Sequence, residues 1–101
     1  MMKTSIEEIN GMLIATLEGE LDTAAAIEVE QALQPLYHSD GREVVIDCEK
    51  LEYIASSGLR ILLAILKGAK ACGSTVTLRS MNDDIKNVFN MTGLINLFNV
   101  E

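Results

Sequence analysis

Apolar residues in this chain change their spacing several times, and each change dictates a change of backbone. Stretches in which apolar and polar residues alternate, or β-branched residues cluster, suit strands. Stretches with apolar residues three and four apart suit helices. Ser5-Ile6-Glu7-Glu8-Ile9 and Met12-Leu13-Ile14-Ala15-Thr16-Leu17 flank Asn10-Gly11. That dipeptide accepts the positive φ angles of a type I′ turn, so a β-hairpin is expected to open the chain. Gly19-Glu20-Leu21-Asp22-Thr23 then turns into a helix, with Asp22 or Thr23 as the expected N-cap. Ala26, Val29, Leu33 and Leu36 give that helix one apolar face. Pro35 stands near its end, and Ser39-Asp40-Gly41 closes the segment.

Glu43-Val44-Val45-Ile46-Asp47-Cys48 suits a central strand covered on both faces. Glu49 to Ala55 reads as a loop leading to Ser56-Ser57-Gly58, where a second helix starts and runs to about Cys72. Leu59, Leu62, Leu63 and Leu66 form its stripe, Ile61 and Ile65 widen it, and Gly73 takes the C′ position. Thr75 to Arg79 alternates as a strand, and Asn82 to Met91 reads as a third helix with Ile85, Val88 and Phe89 inward. Thr92-Gly93-Leu94 breaks it, and Ile95 to Val100 is a short tail without an assigned state. The order β-β-α-β-α-β-α predicts an α/β fold: a small mixed sheet with helices packed against it, right-handed crossovers, and an edge strand in the first hairpin. With 101 residues there is room for one core, hence a single domain over 1–101.

Composition excludes several functions. Fifteen acids against eight bases give a net charge of −7, whereas duplex nucleic acid and anionic membranes need a basic face. The excess lies in residues 1–52, with twelve acids and three bases, against three and five in the remainder. Such a front half could meet a partner, although solubility alone also accounts for it. Two cysteines, Cys48 and Cys72, and a single histidine, His38, cannot supply the four close ligands of structural zinc, so no metal is expected. Both thiols are expected to be buried and reduced. The N-terminal stretch Met1 to Glu7 has no apolar leader core. The longest apolar run, Leu59 to Leu66, is interrupted by Arg60 and too short to span a bilayer, so a cytoplasmic protein is expected.

Chemistry concentrates at Ala55-Ser56-Ser57-Gly58-Leu59-Arg60. Two hydroxyls precede an apolar helix whose free N–H groups and dipole favour an added anion. One reading makes Ser56 or Ser57 an N-cap; the other makes this a phosphorylation site adding about −1.5 to −2 charge. A nucleophilic Ser57 lacks the G-x-S-x-G elbow, and the only imidazole, His38 near a helix end, reads as a solvated surface group rather than a general base. Asp47, Glu49 and Glu52 read as solvated loop carboxylates rather than an acid/base set. No glycine-rich phosphate loop is present, so neither a nucleotide cofactor nor an enzyme is expected.

Three segments together carry a family resemblance: Gly19-Glu20-Leu21-Asp22 with Thr23-Ala24; Val44-Val45-Ile46-Asp47 through Ser56-Ser57-Gly58-Leu59; and Phe89-Asn90-Met91-Thr92-Gly93-Leu94. They resemble the G-x-L-D, D-S-S-G-L and F-x-x-T-G-L segments of the STAS domain family, nearest to its stand-alone anti-sigma factor antagonists. The resemblance implies a phosphorylation-controlled binding module, for which a monomer is the default expectation. Its unmodified form binds an anti-sigma factor with serine kinase activity and so releases a sigma factor; phosphorylation at Ser57 switches binding off, and a phosphatase reverses it. Asp22, Ser56, Gly58 and Leu59 would lie on or beside the docking surface. The family has Asp where this chain has Ala55. That departure favours an alternative on the same domain, a constitutive scaffold of the stressosome type or a small subunit of a lipid-transport ABC system.

Overall fold

The computed structural model describes residues 2–101; Met1 lies outside them. Strand β1 (Lys3–Ile9) and strand β2 (Met12–Leu21) form the expected antiparallel hairpin, with Asn10 and Gly11 at φ 52° and 79°. Helix α1 (Thr23–Ala32) leads through a short 3-10 turn containing Pro35 into β3 (Val44–Ile54). Then come α2 (Ser56–Ala71), β4 (Val76–Arg79), α3 (Asp83–Met91) and β5 (Asn99–Val100). The sheet order is β1-β2-β3-β4-β5, antiparallel at the first pair and parallel thereafter.

Parallel strands that advance steadily in one direction, joined by right-handed crossovers, place every connecting helix on the same face. Side-chain alternation agrees. Leu13, Ala15, Leu17 and Leu21 of β2, Val44, Ile46 and Cys48 of β3, and Val76 and Leu78 of β4 share one core with Val29, Leu62, Ile65, Ile85 and Phe89 of the helices. The opposite face carries the aligned rows Ile14–Val45–Thr77 and Thr16–Asp47–Arg79. Val45 and Thr77 are nonetheless buried, so the both-sided burial expected of the central strand holds. Asp47 and Arg79 pair at 3.1 Å across that face.

Helix α1 ends at Ala32, so Leu36 of its expected face falls in the 3-10 turn, and two further segments differ from the sequence reading. Glu49–Ile54 is strand rather than loop, because Lys50, Leu51, Tyr53 and Ile54 pair with Glu18 to Leu21 of β2. Two register shifts, one on each side of Glu18-Gly19, let these carboxyl ends keep pairing, and Gly19 adopts φ 106° there. The C-terminal tail adds the short β5, anchored by Phe98, whose ring meets Phe89 edge-on at 5.8 Å.

Candidate functional site

The carboxyl ends of β2 and β3 bring the starts of α1 and α2 together. The Ala55 N–H donates to the Leu21 carbonyl at 2.9 Å, which clamps the β3–α2 junction against the residue before Asp22. Gly58 completes the seam. A Cβ there would lie 2.7 Å from Leu21 Cγ and 2.8 Å from Ile54 Cγ1, both on buried side chains, so only glycine allows this approach.

Asp22 caps α1: the Ala25 N–H donates to its Oδ1 at 2.9 Å. Of the two expected caps, Asp22 is therefore the one used, and Thr23 is the first helical residue. On α2 the N-cap is Ala55, in extended conformation, and neither serine caps the helix. The reading of Ser56 or Ser57 as a simple N-cap is thus corrected. The chain stays extended through Ala55, so the serines fall one turn position too far inside. The first bond of the helix runs from the Leu59 N–H to the Ala55 carbonyl at 3.1 Å. Among the described residues no side chain accepts from the N–H groups of Ser56, Ser57 or Gly58.

Ser56 is exposed, Gly58 is buried in the seam, and Leu59 is half-buried against the core. Ser57 is half-buried, and its Oγ is shielded from solvent and has no hydrogen-bond partner. The hydroxyl is thus enclosed rather than presented outward, while the residue itself stands beside α1. There it lines an open cavity of about 460 Å³, with Thr23, Ala26, Ile27 and Glu30 from α1 and Arg60, Ile61 and Ala64 from α2. The cavity exists because three of the facing residues, Ala26, Ser57 and Ala64, are small.

Sequence reasoning did not assign Thr23, Ile27, Glu30, Arg60 or Ala64 to the site. Ile27 carried a readable signal, since it is out of phase with the Ala26–Val29–Leu33 stripe; in the structure it is 71% exposed. Arg60 was visible as the break in an apolar run. Their convergence depends on how α1 crosses α2, which no spacing within either helix specifies. Among the described residues, no group of three or more His, Cys, Asp or Glu side chains could hold a metal ion, and no helix is long and apolar enough to cross a membrane.

The model of the STAS domain family matches residues 3–101. Over 99 residues the chain is 33% identical to BtrV of Bordetella bronchiseptica, a protein named for anti-sigma factor antagonism, spanning 98% of this chain and 85% of that one. A crystal structure of an anti-sigma factor antagonist from Mycobacterium paratuberculosis superposes with a TM-score of 0.82 at 28% identity, covering 99% of this chain and 85% of that one. The Bacillus cell fate determinant SpoIIAA, solved in its phosphorylated form, shares the fold at a TM-score of 0.73 and 19% identity, over 98% of this chain and 91% of that one.

Proposed function

The chain belongs to the STAS domain family, and from that premise we propose that it is an anti-sigma factor antagonist whose docking is switched at Ser57. The unmodified protein binds an anti-sigma factor that is also a serine kinase, and the bound sigma factor is released. In the modifying step a new bond forms between Ser57 Oγ and the γ-phosphorus of ATP. The bond from that phosphorus to the ADP oxygen breaks, and the hydroxyl proton leaves to the kinase or solvent. A phosphatase acting on phosphoserine restores the hydroxyl. In this reading the protein acts as a cytoplasmic monomer and performs no catalysis itself.

The observation that carries the reading is the placement of Ser57 in the α1–α2 cavity, at the uncapped start of α2 and beside the start of α1. A partner seated there covers Ser57, and phosphorylation requires its side chain to move to another staggered rotamer that exposes the oxygen. Phosphate at such an interface must be desolvated on docking and faces Asp22 and any partner acids. Like-charge contact of this kind costs several kcal/mol, equivalent to orders of magnitude in affinity.

The test is incubation with the cognate anti-sigma kinase and ATP, then localisation of phosphate by mass spectrometry. Modification at Ser57 is expected; modification elsewhere, or none, overturns the switch. Ser57→Ala should retain binding in a pull-down and Ser57→Asp should lose it. Ala55 and the shielded Ser57 oxygen favour one second reading, the constitutive scaffold or subunit. In that case the pull-down recovers an ABC ATPase or a scaffold partner and no kinase.

A further inference from the structure

We propose that phosphoserine at position 57 is held by its own chain: Arg60 and the uncapped N–H groups of α2 draw the phosphate into the α1–α2 cavity. This rests on Ser57 being the modified residue and adds where the phosphate goes. Ser57 and Arg60 are three apart on α2, so they stand on one side of the helix about 5–6 Å apart at their Cβ atoms. Both line the cavity. Arg60 is exposed and forms no ion pair with any described residue, so its guanidinium is free to take a phosphate bidentately. The N–H groups of the first turn lack the carboxylate that an acidic residue at position 55 would offer. Esterifying Ser57 Oγ also removes a buried donor that has no partner.

The charges on neighbouring elements set where the phosphate sits. Glu30 is the only carboxylate in the cavity lining, and it lies seven residues beyond Thr23 on α1, about 10 Å along the axis. Its repulsion leaves the Thr23 end, beside the start of α2, as the favoured place. Asp22, whose Oδ1 is engaged as the α1 cap, and exposed Glu20 precede α1 and add like charge on that side, which favours the α2 side for the phosphate. The phosphorylated cavity is then filled and self-paired. Loss of docking follows from occupation of the groove in addition to charge.

The test uses full-length protein with phosphoserine encoded at position 57 during synthesis, so it does not depend on any kinase. Phosphorus NMR across pH should give a second phosphate pKa lower in the otherwise unchanged protein than in Arg60→Gln, by roughly half to one unit. The gain in Tm on phosphorylation should also shrink in Arg60→Gln. Arg60 is exposed, and the unmodified Arg60→Gln protein serves as the control for folding. Coincident titration curves overturn the proposal. A kinase that ignores Ser57 would overturn the switch of the preceding section and leave this titration standing, so the two failures are distinguishable.

Discussion

Residues of one chemical type take opposite fates here according to where the backbone puts them. Cys48 lies in the core on β3, its Sγ donating to the Ile46 carbonyl at 3.6 Å, and burial with Asp47 adjacent pushes its thiol up to about 12. Cys72, expected to be buried, is exposed instead. It is the C-cap of α2, one residue beyond the last turn, where the amphipathic stripe no longer constrains it. The pair therefore predicts selective chemistry. At pH 8 a thiol reagent should label one site per folded molecule, lost in Cys72→Ser, and a second only in denaturant. The raised thiol also sets a pH dependence. Above the ordinary value of 9.0 the unfolded chain loses the Cys48 proton while the folded chain keeps it. Stability present below pH 9 is therefore lost progressively toward pH 12. Tyr37, raised first by burial and then by Glu30, adds to the loss in the same direction above pH 10. Urea unfolding in alkaline buffer should show a shallower decline in Cys48→Ala than in the parent protein; equal slopes would contradict the burial of this thiol.

Helix α2 combines a strong apolar face with a weak start. Ile61, Leu62, Ile65, Leu66 and Ala69 are buried, so the face is centred on the isoleucines more than on Leu59 and Leu63, which are half-buried. Its start is held by backbone and by Gly58, with no capping side chain. Ala55→Asp should supply that cap and raise stability by about 1 kcal/mol, read as a shift in the urea midpoint at unchanged m-value. A null or destabilising result would mean that the N–H groups already have an acceptor. The same element shows what a sequence can disclose. Its stripe, its C-terminal glycine and the hydroxyl pair at its start are all local, and all were legible. Its true N-cap was not, since Ala carries no capping signal and only the clamp of Ala55 to Leu21 fixes the start. Likewise Val44-Val45-Ile46 declared a strand, but Glu49–Ile54 is strand because of its partner β2, a dependence that no window of residues contains.

At the scale of the whole molecule, 29 × 26 × 20 Å, the topology separates two ends of the sheet. The hairpin tip, with Ile9 and Asn10-Gly11, lies at one end; the carboxyl ends of β2 and β3, with Asp22, Ser57 and the cavity, lie at the other. Parallel α/β sheets build their sites at the carboxyl ends of strands, because helix starts converge there with unpaired N–H groups. Acidic α1, carrying Glu28 and Glu30, forms one wall of the cavity, and α2, carrying Arg60, the other, with Ile27 exposed between them. The core makes no use of that isoleucine, as its neighbours Ala26 and Val29 face inward. An apolar residue ringed by opposite charges has the layout of an interface anchor. Ile27→Asp should therefore fold with stability within about 0.5 kcal/mol of the parent protein. Its affinity for the anti-sigma factor should fall by roughly tenfold to a hundredfold, about 1.4–2.8 kcal/mol. Ile9→Asp, an apolar-to-acidic change at the opposite end, should leave that affinity unchanged. Isothermal titration calorimetry of both variants against one anti-sigma factor decides the matter. Equal affinities for the two would place docking away from the α1–α2 groove, whereas a loss confined to Ile27→Asp would tie the partner to the surface that contains Ser57.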